Sequence, residues 1–490
     1  MSLHLLVLIP LLGAIVLGCM RSASIERARV VSLLFTLSAL GVFLTTLGSG
    51  AFDGGELVAP SAALGELTSY RLAMDGLSAP FVALTVVLGI IAVLSSWRIS
   101  DRPAAHHALL LALQAAVTGV FLAQDVILFY VFWEAVLIPM FFLIGVWGHE
   151  DRRHAALKFF IYTFAGSALM LIGILLAVYS TGETSMAGVV TGFQAMREYY
   201  ANSGVALPVS PTLVFWLIMI GLLVKVPAVP VHTWLPDAHV EAPTAGSVML
   251  AGVLLKMGGY GMIRLGIPLA PDVFADARVI FAILGIAGVV YGAIMALGQS
   301  DLKRLVAYSS VAHMGFSLIA LSTGTLNGQI AAVLIMVSHG VVSALMFFLV
   351  GELYDRTHTR EIDRFAGMAR LMPAWGTVFT FGALASLGLP GLSGFPGEFM
   401  AIVEGFNDLG WWMLIVLLGV ILGGAYNLRA VFAVGHGPAA SEWAGVSDLD
   451  GRAILVALVL AVLIVILGVW PRAVIDVATP ALSMILKGGA

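Results

Sequence analysis

The chain has 490 residues, 60% apolar and 11% charged, with a mean hydropathy of +1.03. Soluble domains carry roughly a quarter charged residues and under half apolar ones, so a water-soluble globular fold and a disordered chain are both excluded. A formal charge of −4 without a basic or acidic block leaves a nucleic-acid partner no electrostatic support, and the single cysteine, Cys19, excludes a disulfide framework, a CxxC redox pair and a cysteine-ligated cluster on this chain alone.

The first apolar run, MSLHLLVLIPLLGAIVLGCM, has Arg21, Arg27 and Arg29 after it and none before it. A cleaved leader has its charge in front and a small-residue cleavage site behind, so this segment reads as an uncleaved first span. A bilayer needs about 20 apolar residues per helix. Such stretches recur near 3–20, 29–48, 77–98, 107–124, 126–148, 156–179, 212–231, 244–265, 278–297, 306–323, 328–350, 374–406, 410–434 and 452–470, about 14 in all. The tail after Pro471 is too short and too interrupted to count as a further span.

Orientation follows from Lys/Arg asymmetry across short loops. Loops 21–29, 98–102, 152–158, 303–304, 356–370 and 429–452 hold 16 of the 24 basic residues. The opposite loops hold Arg71, Arg197, Arg264, Arg278, Arg472 and Lys487, while Lys225 and Lys256 fall inside spans. Both termini are therefore expected on the outer side.

The pattern also contains a repeat. Blocks 107–265 and 278–434 each hold five spans, flanked by an N-terminal unit over 1–106 and a C-terminal helix and tail over 435–490. The fourth span of each block is interrupted by paired prolines: Pro227 and Pro230 in KVPAVPVHTWLPDAH, Pro390 and Pro396 in LGLPGLSGFPGEF. Five is odd, so the second block must run inverted, and broken helices at matching positions of two halves point to an ion or substrate site.

Ionisable side chains inside spans cost at least ~2.5–3.5 kcal/mol unless paired or wetted, so they mark function. Glu134 lies about 12 Å into its span at 1.5 Å per residue, one residue from Ala135, whose carbonyl Pro139 leaves without its helical donor. Lys225 precedes prolines that remove the helical donors for the carbonyls of Leu223 and Val226, so water or a cation is expected there. Lys256 sits roughly 18 Å along its helix from Thr244, and Glu398 follows GFPG at the second break. The plainer reading of each is an inert ion pair that fixes packing, an expensive device when used four times. His313 and His339 also lie mid-span, as interhelical hydrogen-bond donors or as a proton relay. His232, Asp237, His239 and Glu241 lack the regular spacing of metal ligands and suggest a wet vestibule. His106 and His107 read as interfacial, and Trp133, Trp147, Trp375, Trp411 and Trp412 as anchors or packing.

These residues outline a mechanism in which Glu134 approaches Lys225 and controls its protonation. A row of Lys225, Lys256, His313 or His339, and Glu398 then passes a proton between half-channels. No GxGxxG at a strand–helix junction, GxxxxGK[ST] or HExxH is present, so the driving force must come from another ion gradient or another subunit.

MDGLSAPFVALT, FYVFWEAVLIPMFFLIGVWG, KVPAVPVHTWLPDAHVEAPTAGSVMLAGVLLKMGGYG, DLKRLVAYSSVAHMG and LPGLSGFPGEF together resemble the antiporter-like membrane subunits of proton-pumping NADH:quinone oxidoreductase, respiratory complex I. The likeness covers nearly the whole chain. It implies an all-α polytopic fold of about 14 transmembrane helices, with inverted repeats in helices four to eight and nine to thirteen. It also implies that Glu134 and Lys225 are the family's glutamate–lysine pair, Lys256 its central lysine, Glu398 the terminal proton-exit residue, and His313 and His339 the polar axis between. Implied with these are no NADH, flavin, cluster or quinone on this chain, and membrane-arm subunits, protons, internal water and lipid as partners. The implied location is the bacterial cytoplasmic membrane. Three sister subunits and multisubunit sodium/proton antiporters share most of the pattern. Glu398, where the others usually have lysine, and an end after 14 spans single out one sister type. A subunit of a sodium/proton antiporter or a hydrogenase-type complex is the alternative, and a structural scaffold a third reading that the intramembrane charges disfavour.

Overall fold

In hydrocarbon every backbone amide and carbonyl must be satisfied within its own segment, so apolar runs of this length fold as helices. A computed structural model describes residues 2–20, 24–48, 57–59, 61–63, 68–203, 209–438 and 441–488; Arg21, counted in the first basic loop, lies outside the described residues. The N-terminal helices are α1 (Ser2–Cys19), α2 (Ile25–Gly48) and α3 (Ser78–Ser95). The helices that follow are α4 (Pro103–Leu122), α5 (Val126–Ala135), α6 (Leu137–Trp147), α7 (Arg152–Thr181), α8 (Met186–Ser203), α9 (Pro211–Lys225), α10 (Trp234–Glu241), α11 (Thr244–Met249), α12 (Leu255–Gly261) and α13 (Ile267–Leu269). The remainder is α14 (Pro271–Leu297), α15 (Leu302–Ser322), α16 (Leu326–Thr357), α17 (Met368–Leu371), α18 (Pro373–Ser386), α19 (Gly394–Leu409), α20 (Met413–Gly435), α21 (Gly451–Val469) and α22 (Arg472–Leu486).

Local chemistry sets many of these boundaries. Proline occupies the first turn of α4, α9, α14 and α18, where its missing amide has no partner to lose. Asp125, Asp301, Thr325 and Asp450 cap α5, α15, α16 and α21 with side-chain oxygens. Eleven helical segments are long and apolar enough to cross a membrane. One of them, 394–435, turns at Gly410 (φ +59°), and the shorter α1 and α9 complete 14 crossings among the described residues. This is the all-α polytopic fold expected from the spacing of the apolar runs.

Four details add to or differ from the sequence reading. The span near 126–148 is divided at Val136, and the one near 374–406, interrupted at Pro390 as expected, is two half-helices, α18 and α19. The tail after Pro471 forms α22, of 15 residues, which buries Val474, Ala478, Ala481, Leu482 and Ile485 on one face. At about 1.5 Å per residue it is too short to cross and lies against α16. Residues 57–74 add two antiparallel two-residue strand pairs, β1 (Leu57–Val58) with β4 (Ala73–Met74) and β2 (Ala62–Ala63) with β3 (Ser69–Tyr70). Fourth, His106 and His107 are fully buried, on Ser96 (2.8 Å) and Ser32 (3.3 Å) respectively, so they are packing residues between helices and not interfacial ones.

Burial sorts the helices by role. The 244–269 segment and α16 are buried along their apolar lengths and form the centre, whereas α2, α7, α14 and α21 expose rows of Leu, Ile and Val outward. Close backbone approach between α14 and α15 depends on small residues: a Cβ on Gly315 would stand 2.7 Å from the Gly285 carbonyl oxygen.

Arg264, assigned above to a loop, is 7% exposed and ion-paired to Asp75, while Tyr260 stacks beside it at 5.6 Å. Asp75 also accepts the amides of Leu77 and Ser78 at the start of α3. The arginine is thus an interior tie, because a guanidinium held by a carboxylate can stay within the protein where an unpaired one could not. Asp75→Ala leaves that guanidinium buried and unpaired, and is expected to destabilise the chain by about 3–5 kcal/mol. A thermal scan of the detergent-extracted protein should show the unfolding midpoint fall by several degrees; an unchanged midpoint would contradict the assignment.

Candidate functional site: an intramembrane row of titratable groups

Both proline-rich breaks are real, and both resolve their backbone in the same way. After α9 the amide of Ala228 reaches back to the carbonyl of Leu223 at 3.0 Å, and the Trp234 indole donates to the carbonyl of Val224 at 3.0 Å. After α18 the amide of Leu389 donates to the carbonyl of Leu384 at 3.2 Å. The Leu223 carbonyl, expected above to need water or a cation, is therefore satisfied by the protein itself. At the second break Gly388 has φ +78°, and a Cβ there would lie 3.0 Å from Glu398 Oε2. Glycine is required both by the left-handed backbone and by the carboxylate beside it.

Lys225 ends α9 and is 1% exposed. Its Nζ sits 5.2 Å from the centroid of Trp133 and 6.0 Å from that of Phe159. Glu134, the residue next to Trp133, lies close enough for its charge to act on Lys225, yet Lys225 Nζ and Glu134 Oε1 are both buried without a hydrogen-bond partner. The direct approach of the two expected from sequence is not made: an aromatic cage holds the ammonium by cation–π attraction while the carboxylate stands beside Tyr130, whose hydroxyl also meets Ser167. Trp133, read as anchor or packing, is part of this cage.

Lys256 lies on α12 between two π-helical turns, Leu250–Leu254 and Met262–Gly266. A π turn displaces the usual i→i−4 bonding, and the Lys256 Nζ donates to the Ala251 carbonyl. It is fully buried, and its other contact is His339 Nδ1 at 2.6 Å. His339, on α16, stands 5.4 Å ring to ring from His313 on α15. His313 Nδ1 meets Glu398 Oε1 of α19 at 2.7 Å, and its Nε2 meets Ser386 Oγ at 3.2 Å. Four helices thus bring Lys256, His339, His313 and Glu398 into one row. The sequence left His313 and His339 as alternatives; the fold uses both, in the order 339 then 313. A small cavity of about 20 Å³ flanks the row, lined by His313, His339 and Glu398 with Ser309, Ser338 and Ser386, with room for an ordered water among polar partners.

No hydrogen bond or ion pair links Lys225 to Lys256 among the described residues, and their two helices pack closely: a Cβ on Gly258 would meet Val226 Cγ2 at 2.6 Å and the Leu222 carbonyl oxygen at 2.8 Å. None of the six expected residues faces outward, since His313 and Glu398 have side chains 12% exposed and Glu134 is half-buried. His232, Asp237, His239 and Glu241 go separate ways. Asp237 pairs with Lys158 and Arg304, Glu241 accepts the Asp151 amide, and His239 is buried with its ring stacked on Phe347 at 4.4 Å. His239 does not line a wet vestibule.

Sequence reasoning missed Ser386, which holds His313, and Tyr426 and Asn427, which lie against Ser386 and Glu398. Asn427 inside an otherwise apolar span was the available signal. It also missed a second buried charge centre, Glu352, which Arg356 and Arg452 hold at 2.7 and 2.6 Å.

Residues 123–423, which include every member of the row, match the family profile described as NADH:quinone oxidoreductase/Mrp antiporter, TM. The chain belongs to this family. Among its relatives, NADH-quinone oxidoreductase subunit M of Pseudomonas aeruginosa is 40% identical, over 98% of this chain and 97% of that one. A chain of respiratory complex I from Thermus thermophilus with bound NADH superposes with a TM-score of 0.88 at 29% identity and covers both chains completely. A chain of the Mrp complex from Dietzia sp. DQ12-45-1b has a TM-score of 0.85 at 20% identity over 99% and 97% of the two chains, which shows the shared fold alone. The chain is accordingly a multi-span membrane protein of the antiporter-like type.

Proposed function

We propose that this chain is the M-type, proton-translocating membrane subunit of a bacterial NADH:quinone oxidoreductase, a non-redox part of the enzyme driven by redox chemistry in other subunits. The observation that carries this reading is the buried row Lys256–His339–His313–Glu398, with contacts of 2.6 and 2.7 Å at its two ends and the two imidazoles 5.4 Å apart between ring centroids. Amine, imidazole and carboxylate each exchange a proton without changing shape, and hydrogen bonds or intervening water give the proton its path. Moving a charge against the membrane potential takes about 2.3 kcal/mol per 100 mV. The names of its relatives, NADH-quinone oxidoreductase subunit M, support an energy source in the redox chemistry of a larger complex.

In this reading residues 1–106 support the first half-channel (107–265), the inverted second half follows (278–434), and residues 435–490 close the assembly. The Lys/Arg bias puts both termini on the outer side of the cytoplasmic membrane. Glu134 and Lys225 form the input control. While the carboxylate is charged it holds the Lys225 proton, and its neutralisation releases that proton toward Lys256. The close contact of Val226 with Gly258 is then the gate that must hydrate for the step to occur. Glu398 delivers the proton from the second half. Other membrane-arm subunits, internal water and lipid are the partners. Sodium/proton antiport is the competing role. The acidic Glu398, and the greater identity to the complex I chain than to the Mrp chain, argue against it.

Glu398→Gln tests the assignment. The amide keeps the shape but cannot give up a proton at neutral pH, so pumping by inverted membrane vesicles during NADH oxidation is expected to fall about a hundredfold or more, the loss typical of a removed proton-transfer group. Wild-type pumping in this variant would remove the reading. Sodium-dependent proton exchange without NADH would favour the antiporter instead.

A further inference from the structure

A third group of buried charge lies at the end of half-helix α10. Lys303, the second residue of α15, is 3% exposed. Its Nζ donates to the carbonyls of Val240 and Ala242, at 3.4 and 2.5 Å. Those carbonyls end α10, the half-helix that follows the first break. Arg360 donates to the same Val240 carbonyl and is itself held by Asp301 at 3.1 Å, the residue that caps α15. Next to Lys303, Arg304 pairs with Asp237 in the first turn of α10 at 3.5 Å, and Lys158 of α7 holds the other oxygen of Asp237 at 2.6 Å.

The half-helix α10 needs such ties. Its backbone is not helically continuous with either neighbour: residues 226–233 break it from α9, and Ala242 is extended (ψ 147°) before Pro243. A free helix end has unsatisfied carbonyls and a partial negative charge, which cations stabilise. Burying an ammonium is costly unless it is matched in this way, so Lys303 stays buried only while α10 stays against α15. The same α15 carries His313 ten residues further on, roughly 15 Å along a stiff helix. The α10 side carries the buried His239, whose ring nitrogens have no hydrogen-bond partner. Lys303 thus joins the broken helix of the first half to the helix that places the second half's histidine.

We propose that Lys303 is a positioning residue whose buried ammonium, held on the Val240 and Ala242 carbonyls, couples half-helix α10 of the first half-channel to helix α15 of the second, so that the halves change state together. The inference rests on the proton-translocating reading. Lys303 touches no member of the row and transfers no proton in it.

The test compares protons pumped per NADH oxidised in inverted vesicles that contain the whole complex. Lys303→Met keeps the stem and removes the donors; Lys303→Arg keeps a cation that reaches the same carbonyls. Loss of a coupling element of this kind is expected to lower the ratio at least about twofold in Lys303→Met, and Lys303→Arg is expected to restore most of it. The ratio is independent of how much complex assembles, so a merely structural role would reduce the amount and leave the ratio unchanged. A wild-type ratio in Lys303→Met while Glu398→Gln has lost pumping overturns the coupling and spares the function. Wild-type pumping in both overturns the function. Should Lys303→Met not assemble, Arg304→Met loosens the half-exposed part of the same tie, and a wild-type ratio there overturns the proposal.

Discussion

Lys256→Met is expected to abolish proton pumping while the protein still folds and assembles. The side chain is fully buried, and its two partners are the Ala251 carbonyl and His339 Nδ1. Methionine fills nearly the same volume and removes the penalty of an amine in hydrocarbon. It leaves the His339 Nδ1 without its lysine partner, at about 1–3 kcal/mol. Replacing a buried charged group by an apolar one of similar size is often neutral or stabilising, so the two effects offset and the fold survives. What does not survive is the transfer. His339 loses its only close proton donor, and no other titratable side chain touches both the π-bulged helix and α16 at this point among the described residues. Initial rates of vesicle acidification, normalised to the amount of assembled complex, should drop by about a hundredfold or more. A loss smaller than threefold would show that water by-passes the lysine, and the row would no longer be the path.

The second large effect separates Glu134 from Lys225. Because they do not form a direct pair, removing either one should not leave a stripped ion-pair partner. Lys225→Met removes an ammonium stabilised by Trp133 and Phe159 and replaces it with a side chain that packs well against both rings. Glu134→Gln keeps the shape of its side chain beside Tyr130. Both variants are therefore expected to assemble normally. Pumping should fall in both, by at least about tenfold, but for different reasons: Lys225→Met lacks the proton carrier, and Glu134→Gln lacks the charge that holds and releases it. The double variant is then expected to be no worse than Lys225→Met alone, since the glutamate acts only through the lysine. Independent, multiplying losses in the double variant would show that Glu134 moves protons itself and would remove it from the control role.

Much of this was legible in the chain. An ionisable residue in an apolar run has few reasons to be there, so Glu134, Lys225, Lys256 and Glu398 stood out on composition alone, and the proline pairs at 227/230 and 390/396 located both breaks. The less visible features share one cause. Ser386, Tyr426 and Asn427 are ordinary polar residues until the fold places them against His313 and Glu398. Serine in a helix usually bonds to its own backbone, and only a neighbouring helix gives it a second role. Arg264 near a span end looks like a loop residue because its partner, Asp75, is 189 positions away in sequence.

Sequence alone determined the class of the protein, the number of crossings, the two breaks and the identities of the chemical groups. These follow from hydropathy, proline geometry and the cost of charge in lipid, which act locally. Tertiary structure decided the connections: His339 before His313, the aromatic cage in place of an ion pair at Lys225, the close contact between Val226 and Gly258, and the grip of Lys303 on α10. These depend on which faces of separate helices meet. That choice is made by packing between residues tens to hundreds of positions apart, and periodicity along one segment carries no information about it.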